Sequence, residues 1–169
     1  MTPDLTIRPA DPTGPEAATL IARLSAELAA LYPEDTSAGA GDFNPTDLAG
    51  PESSFLIAWL DGQPVGCGAL RPMEPGVAEV KRMYVEPAAR GRGLSRRLLA
   101  ELERAAAGMG YTTVRLETGL RQLAAIHLYD TAGYHRIENY GLYVGNPQSA
   151  CFEKALASGA GMETFDLSN

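Results

Sequence analysis

The stretch from residue 77 to residue 108 constrains this chain more than any other. It begins with an apolar run, Val77-Ala78-Glu79-Val80-Lys81-Arg82-Met83-Tyr84-Val85, that has the character of a strand. Glu86 and Pro87 follow, then two glycines one residue apart, Gly91 and Gly93. Behind them Leu94, Leu98, Leu102 and Ala105 share one helical face, with Leu99 and Ala106 beside it, until Gly108 and Gly110 end the helix. A strand that turns through glycine into an amphipathic helix has to lay that helix back on a sheet. Residues 112–117 then read as a strand, 123–131 as a short helix and 134–138 as a further strand, so the chain is layered α/β.

The flanks fit the same plan. Leu5-Thr6-Ile7-Arg8 reads as a first strand, and Leu20, Leu24, Leu28 and Leu31 as one face of a helix stopped by Pro33. Residues 55–60, 64–70 and 77–85 read as an antiparallel meander, with turns at Asp61-Gly62 and over 72–76. Between helix and meander, residues 33–54 carry prolines, glycines and small polar residues, and read as a loop with a short helix near Thr46-Asp47-Leu48. Cys151-Phe152-Glu153-Lys154 belongs to the last strand. With 169 residues and 45% hydrophobic content, one domain over 1–157 is expected, followed by a polar tail over 158–169.

Charge narrows the functions. The net charge of −7 disfavours a broad nucleic-acid footprint, and no helix-turn-helix segment or basic stripe is present. No apolar run reaches membrane-spanning length, and Met1-Thr2-Pro3-Asp4 does not open a secretory signal. A cytoplasmic chain is expected, with Cys67 and Cys151 reduced unless the fold brings them together. His127 and His135 lack a third ligand at zinc spacing, so no metal is expected.

Inside this acidic chain the glycine turn concentrates Arg90, Arg92 and Arg96. Amides at a helix start, the helix dipole and forked guanidinium groups all favour phosphate. The segment is neither GxxxxGK[ST] nor GxGxxG, which disfavours an ATPase or a dinucleotide dehydrogenase. A glycine-bearing helix cap with solvated arginines is the plainer alternative.

The surroundings of the turn resemble the GNAT acetyltransferase superfamily. Arg90, Gly93 and Ser95 match its Q/R-x-x-G-x-G/A pattern, with Ser95 where the family has Gly or Ala. Leu116-Glu117-Thr118-Gly119, Gln122, Ala124-Ala125-Ile126, Leu128-Tyr129 and Ala132-Gly133-Tyr134 resemble its later element, with Gln122 in place of Asn and Tyr134 in place of Phe. The resemblance implies a mixed, twisted central sheet with helices on both sides. In such a sheet strand four (77–85) and strand five (112–117) splay apart to admit acetyl-CoA, which leaves as CoA. It implies a pyrophosphate anchor over Arg90, Gly91, Arg92, Gly93, Leu94, Ser95 and Arg96. The backbone of Met83, Tyr84 and Val85 then lies along the pantetheine arm, with an N–H near Met83 binding the thioester oxygen and Gln122 on the cofactor side. Tyr129 becomes the acid that protonates the leaving thiolate, since a phenol with a pKa of about 10 holds its proton at neutral pH.

Glu79 is the leading base. By period-two geometry it shares a side of its strand with Lys81 and Met83 and accepts the amine proton directly or through water. Binding a cationic acceptor, or pairing with Lys81 or Arg115, are its other readings. Glu117 orients the amine, organises Gln122, or satisfies Thr118 and nearby backbone donors. Tyr32, Phe43, Tyr140 and Tyr143 are candidate acceptor walls, with Tyr32, Glu117 and Tyr140 as substrate contacts, and core packing is the alternative for each aromatic residue. No Cys/His nucleophile pair is evident, so direct transfer in a ternary complex is expected. The acceptor expected is a primary amine on a small or amino-acid-like molecule. A peptide or protein N-acetyltransferase and a non-enzymatic acyl-CoA sensor are the alternatives. A homodimer through Leu142, Val144 and Phe152 also fits the sequence, as does burial of those residues within one copy.

Overall fold

A computed structural model describes residues 1–35 and 43–157. The expected tail over 158–169 and part of the expected 33–54 loop lie outside the described residues. The elements run β1 (Leu5–Pro9), α1 (Pro15–Leu31), β2 (Ser54–Leu60), β3 (Gln63–Glu74), β4 (Val77–Val85), α2 (Leu94–Gly108), β5 (Thr113–Gly119), α3 (Leu123–Thr131), β6 (His135–Ile137) and β7 (Ser149–Ala155). Short 3-10 turns at Pro45–Leu48, Pro87–Ala89 and Gly141–Tyr143 join them. Among the described residues no helix is long and apolar enough to cross a membrane.

The described strands form a seven-stranded mixed sheet in the order β1-β2-β3-β4-β5-β7-β6. Only β4 and β5 are parallel, because α2 carries the chain back across the sheet between them. Side chains alternate between two cores. Leu56 and Ala58 of β2, Leu70 of β3, Ala78 and Val80 of β4, Val114 and Leu116 of β5 and Phe152 of β7 pack beneath α2 and α3. Phe55 and Ile57, with Cys67 and Ala69, face the opposite way and pack beneath α1 through Ala17, Leu20 and Leu24. Helices therefore cover both faces, as the resemblance implies.

Strand β3 runs to Glu74, past the expected turn over 72–76, which shrinks to Pro75-Gly76 with Gly76 at φ 78°. Pro72 is tolerated there because the β3–β4 register shifts between Pro72 and Glu74, where a missing N–H breaks no ladder bond. Phe152 lies in the core, so it offers nothing to a second copy, whereas Leu142 and Val144 are exposed.

Leu98 and Leu102 are fully buried between α2 and the sheet. Replacing Leu102 by Ala should lower unfolding free energy by about 2–5 kcal/mol in urea denaturation, through lost transfer energy plus a cavity.

Candidate active site

Among the described residues, the glycine turn leaves a row of amides without backbone partners. Gly91 and Gly93 take φ values of 80° and 74°, the left-handed region that a side chain disfavours. Gly93 caps α2, and the first helical hydrogen bond runs from Arg97 N to Gly93 O at 3.1 Å. The N–H groups of Leu94, Ser95 and Arg96 therefore have no carbonyl one turn back to bond, and they stand at the positive end of the helix. Gly91, Arg92 and Gly93 are exposed beside them.

Of the arginines, Arg92 is exposed. The Arg96 guanidinium donates to Thr131 Oγ1 at the end of α3. Arg90, expected to fork onto phosphate, instead holds the turn: Nε donates to Val85 O at 2.8 Å and a terminal nitrogen to Glu27 Oε2 at 2.7 Å. Arg23, one helical turn before Glu27 on α1, pairs with Glu86. Two ion pairs thus fasten α1 to Glu86 and Arg90, the residues that lead into the glycines.

Next to the turn, β4 and β5 separate. Their parallel pairing covers Val77–Thr113 to Val80–Leu116 and then stops, while β4 continues to Val85 and β5 to Gly119. A β-bulge in β4 accompanies the parting. Cys67 pairs with Tyr84 but Ala69 pairs with Lys81, so Arg82 and Met83 together face Gly68. Arg82 takes φ 56°, a left-handed conformation costing a non-glycine residue roughly 1–2 kcal/mol. The extra residue reverses the alternation and corrects one expectation. Glu79 and Lys81 lie on the α1 side of the sheet, but Met83 points the other way and packs against the α2 core. Glu86 N donates to Val65 O at 2.7 Å, so the antiparallel ladder turns Glu86 and Tyr84 toward β3 and the Met83 and Val85 amides toward the gap.

On the α1 side, a buried polar cluster surrounds Glu79, which is 4% exposed. Arg71, opposite it on β3, donates to Oε1 through Nε at 3.0 Å and a terminal nitrogen at 2.9 Å. Tyr140 Oη donates to Oε2 at 2.7 Å. Burial, then the Glu79 carboxylate, pushes the Tyr140 phenol far above its ordinary value. Lys81 donates to Tyr143 Oη, and the Tyr140 and Tyr143 rings meet edge to face at 5.7 Å. The β6–β7 connection is thereby strapped over β4. Glu79 pairs with neither expected partner: Lys81 reaches Tyr143, and Arg115 bonds Glu153 at 2.6 Å and Glu74 at 3.1 Å.

Tyr129 stands on the opposite side. It is buried in the α2 core against Tyr134 and Phe152, each with ring centroids 5.8 Å away. Among the described residues no hydrogen bond holds its hydroxyl. Burial raises its phenol, and the Glu117 carboxylate adds to the shift. Burial raises Tyr143 and Cys151 across the sheet, and Glu117 adds to both shifts. Glu117 is the first β5 residue past the last β4 pair, so it sits at the gap and acts on groups of both faces. Glu79 and Tyr129 therefore do not touch and lie on opposite faces of the sheet, Glu79 within the paired part of β4.

The remaining candidates cluster at the end of β5. Tyr32 is buried, its hydroxyl accepts from Arg121 N at 3.1 Å, and its ring stacks under the Arg121 guanidinium. A Cβ on Gly119 would come within 1.9 Å of Tyr32 Oη, so glycine is what lets the end of α1 cross β5. Gln122 precedes α3, its N–H bonded to Gly119 O at 3.0 Å. Phe43 lies under the Arg82 guanidinium at 5.2 Å. Sequence reasoning missed Arg71, the Arg82 bulge and the anchors Arg23 and Glu27. Only the register of the β3–β4 hairpin discloses Arg71, and no sequence signal marks a left-handed arginine.

Comparison with known proteins supplies a family context. The model of the family described as "Acetyltransferase (GNAT) family" matches residues 21–134. The chain is 37% identical over 155 residues to "IAA acetyltransferase" of Azospirillum brasilense, covering 91% of this chain and 99% of that protein. A Klebsiella pneumoniae protein provisionally assigned as an acyl-CoA N-acyltransferase superposes with a TM-score of 0.74 at 36% identity, over 90% of this chain and 98% of that one. A PaiA N-acetyltransferase from Thermoplasma acidophilum, solved with coenzyme A, shares the fold with a TM-score of 0.68 at 18% identity, over 90% of this chain and 99% of that one.

Both cysteines are free and buried, and burial pushes the Cys67 thiol up to about 12. Ellman's reagent at pH 8 should therefore label neither thiol faster than the protein opens. Labelling at the rate of an exposed cysteine would contradict this placement.

Proposed function

The chain belongs to the acetyltransferase (GNAT) family, and from that premise we propose that it moves an acetyl group from acetyl-CoA to the primary amine of a small, amino-acid-like molecule by direct transfer in a ternary complex. The observation that carries this reading is the coincidence of two features. A row of unpartnered amides opens α2, and a gap in the sheet begins beside it. The amides from Gly91 to Arg96 suit a pyrophosphate, with Arg92 and Arg96 adding charge. The gap offers the Met83 and Val85 amides to an extended, amide-bearing arm, and Tyr84 backs that strand. Leu94 anchors the helix start in the core, and Gln122 borders the far side.

In this reading the thioester carbon lies where the gap is bounded by Met83, Glu117 and Tyr129. The Met83 N–H stabilises the negative charge that develops on the thioester oxygen as the amine attacks. The C–N bond forms as the C–S bond breaks. Tyr129 gives its proton to the departing sulfur, and the amine loses a proton to the Glu79 side. Arg71 occupies Oε1 of Glu79, so that proton reaches Oε2, through Tyr140 or through water. Glu117 orients the amine, and Tyr32 and Tyr140 wall the acceptor. A peptide N-terminus as acceptor, and a non-catalytic acyl-CoA sensor, are the competing readings.

An amine panel assayed with acetyl-CoA, reading thiol release and product mass together, tests the reading. Acetylated amine supports it, thiol release without acetylated amine indicates hydrolysis, and binding without either indicates a sensor. Tyr129→Phe should lower kcat by about 10²-fold or more with little change in acetyl-CoA KM. Because burial and Glu117 raise the Tyr129 phenol above its ordinary value near 10, the acid stays protonated. The rate should show no alkaline limb from Tyr129 below about pH 10. Glu79→Gln should lower turnover with little change in acetyl-CoA KM. Intact turnover in this variant would reject the proton-accepting role.

A further inference from the structure

We propose that Cys67 is a positioning residue for acetyl transfer, a role resting on the reading above: its thiol donates to the Arg82 carbonyl and so holds the β4 bulge that aims the Met83 amide into the gap. The Cys67 Sγ lies 3.3 Å from Arg82 O, and the residue is fully buried. A bulge sets its extra residue off the regular ladder, and the Cys67 thiol reaches the carbonyl of that residue from β3.

The flanking residues are cut to the same shape. A Cβ on Gly66 would meet Tyr84 O at 2.8 Å and Leu98 Cδ1 at 3.1 Å. A Cβ on Gly68 would meet Leu102 Cδ1 at 2.7 Å and Met83 Sδ at 3.0 Å. Neither glycine has a left-handed φ, so close approach, not backbone freedom, explains them. Gly66-Cys67-Gly68 is thus a saddle in β3. Its outer residues admit the bulged strand from the α2 side, and its central residue bonds the bulge from the α1 side. The thiol keeps its proton at neutral pH because burial raises it, so it serves as a donor and not as a nucleophile.

The Cys67 bond governs where one backbone amide points, so its loss should move turnover more than cofactor affinity. The pyrophosphate turn, nine residues beyond the bulge and separately tied to α1, is untouched. Cys67→Ala should lower kcat about tenfold or more, since small misplacements of a reacting group are costly, while acetyl-CoA KM stays within about twofold. Cys67→Ser keeps a donor and should retain most of the turnover, although a hydroxyl in this apolar site should make it no more heat-stable than Cys67→Ala. Hydrogen exchange in the cofactor-free protein should quicken over residues 80–86 in Cys67→Ala but not in Cys67→Ser, with residues 113–119 unchanged in both. Turnover that follows Tm instead, so that Cys67→Ala outperforms Cys67→Ser, would overturn the role. The two possible failures are distinguishable. A wild-type protein that acetylates no amine removes the reading on which the role rests. Unchanged exchange over 80–86 in Cys67→Ala overturns the role with that reading intact.

Discussion

Parallel pairing between β4 and β5 ends at Val80 and Leu116, and the rest of the site is organised around that ending. A sheet interior does not leave strand edges unpaired without cause, because each exposed amide and carbonyl asks for a partner. Here β4 runs on to Val85 with its inner edge open, and the bulge at Arg82 turns a different set of side chains toward each face as it does so. The apolar α2 core fills one side with Met83 and Tyr129, and the polar cluster of Glu79, Arg71 and Tyr140 fills the other. A buried phenol and a buried carboxylate thus stand on opposite faces of the sheet beside this parting.

Helix α1 ties the two ends of this arrangement together. Near its middle, Arg23 and Glu27 grip Glu86 and Arg90, the residues that bracket the start of the glycine turn. Ion pairs this exposed contribute little singly, at most about 1 kcal/mol. Their value here is geometric, since Arg90 also holds the last carbonyl of β4 and stacks on Tyr84. At its far end α1 delivers Tyr32 onto Gly119 and Arg121, beside the start of α3. One rigid helix therefore fixes both the phosphate-suited turn and the end of β5 that leads into α3.

Much of this was legible in the sequence, because it rested on periodicity and punctuation. The leucine spacing of α2, the glycines that open it and the apolar run of β2 were read as helix, turn and strand, and the structure adopts them. The β4 bulge was hidden because it depends on a tertiary bargain. Arginine has no preference for a left-handed backbone, and period-two counting across residue 82 put Met83 on the wrong face. Arg71 was hidden because cross-strand partners depend on register, and the hairpin turn lay closer to Gly76 than Pro72 suggested. The bonds of Arg90 to Val85 and Glu27 were hidden for a related reason: they depend on how α1 packs against the turn.

A crystal structure with acetyl-CoA bound tests the central claim most directly. The account predicts pyrophosphate oxygens on the amides between Gly91 and Arg96. It also predicts a pantetheine arm bonded to Met83 and Val85 within the β4–β5 gap, and a thioester between Glu117 and Tyr129. A cofactor lying outside the gap, or phosphates held elsewhere while the amides of the turn face water, would contradict it.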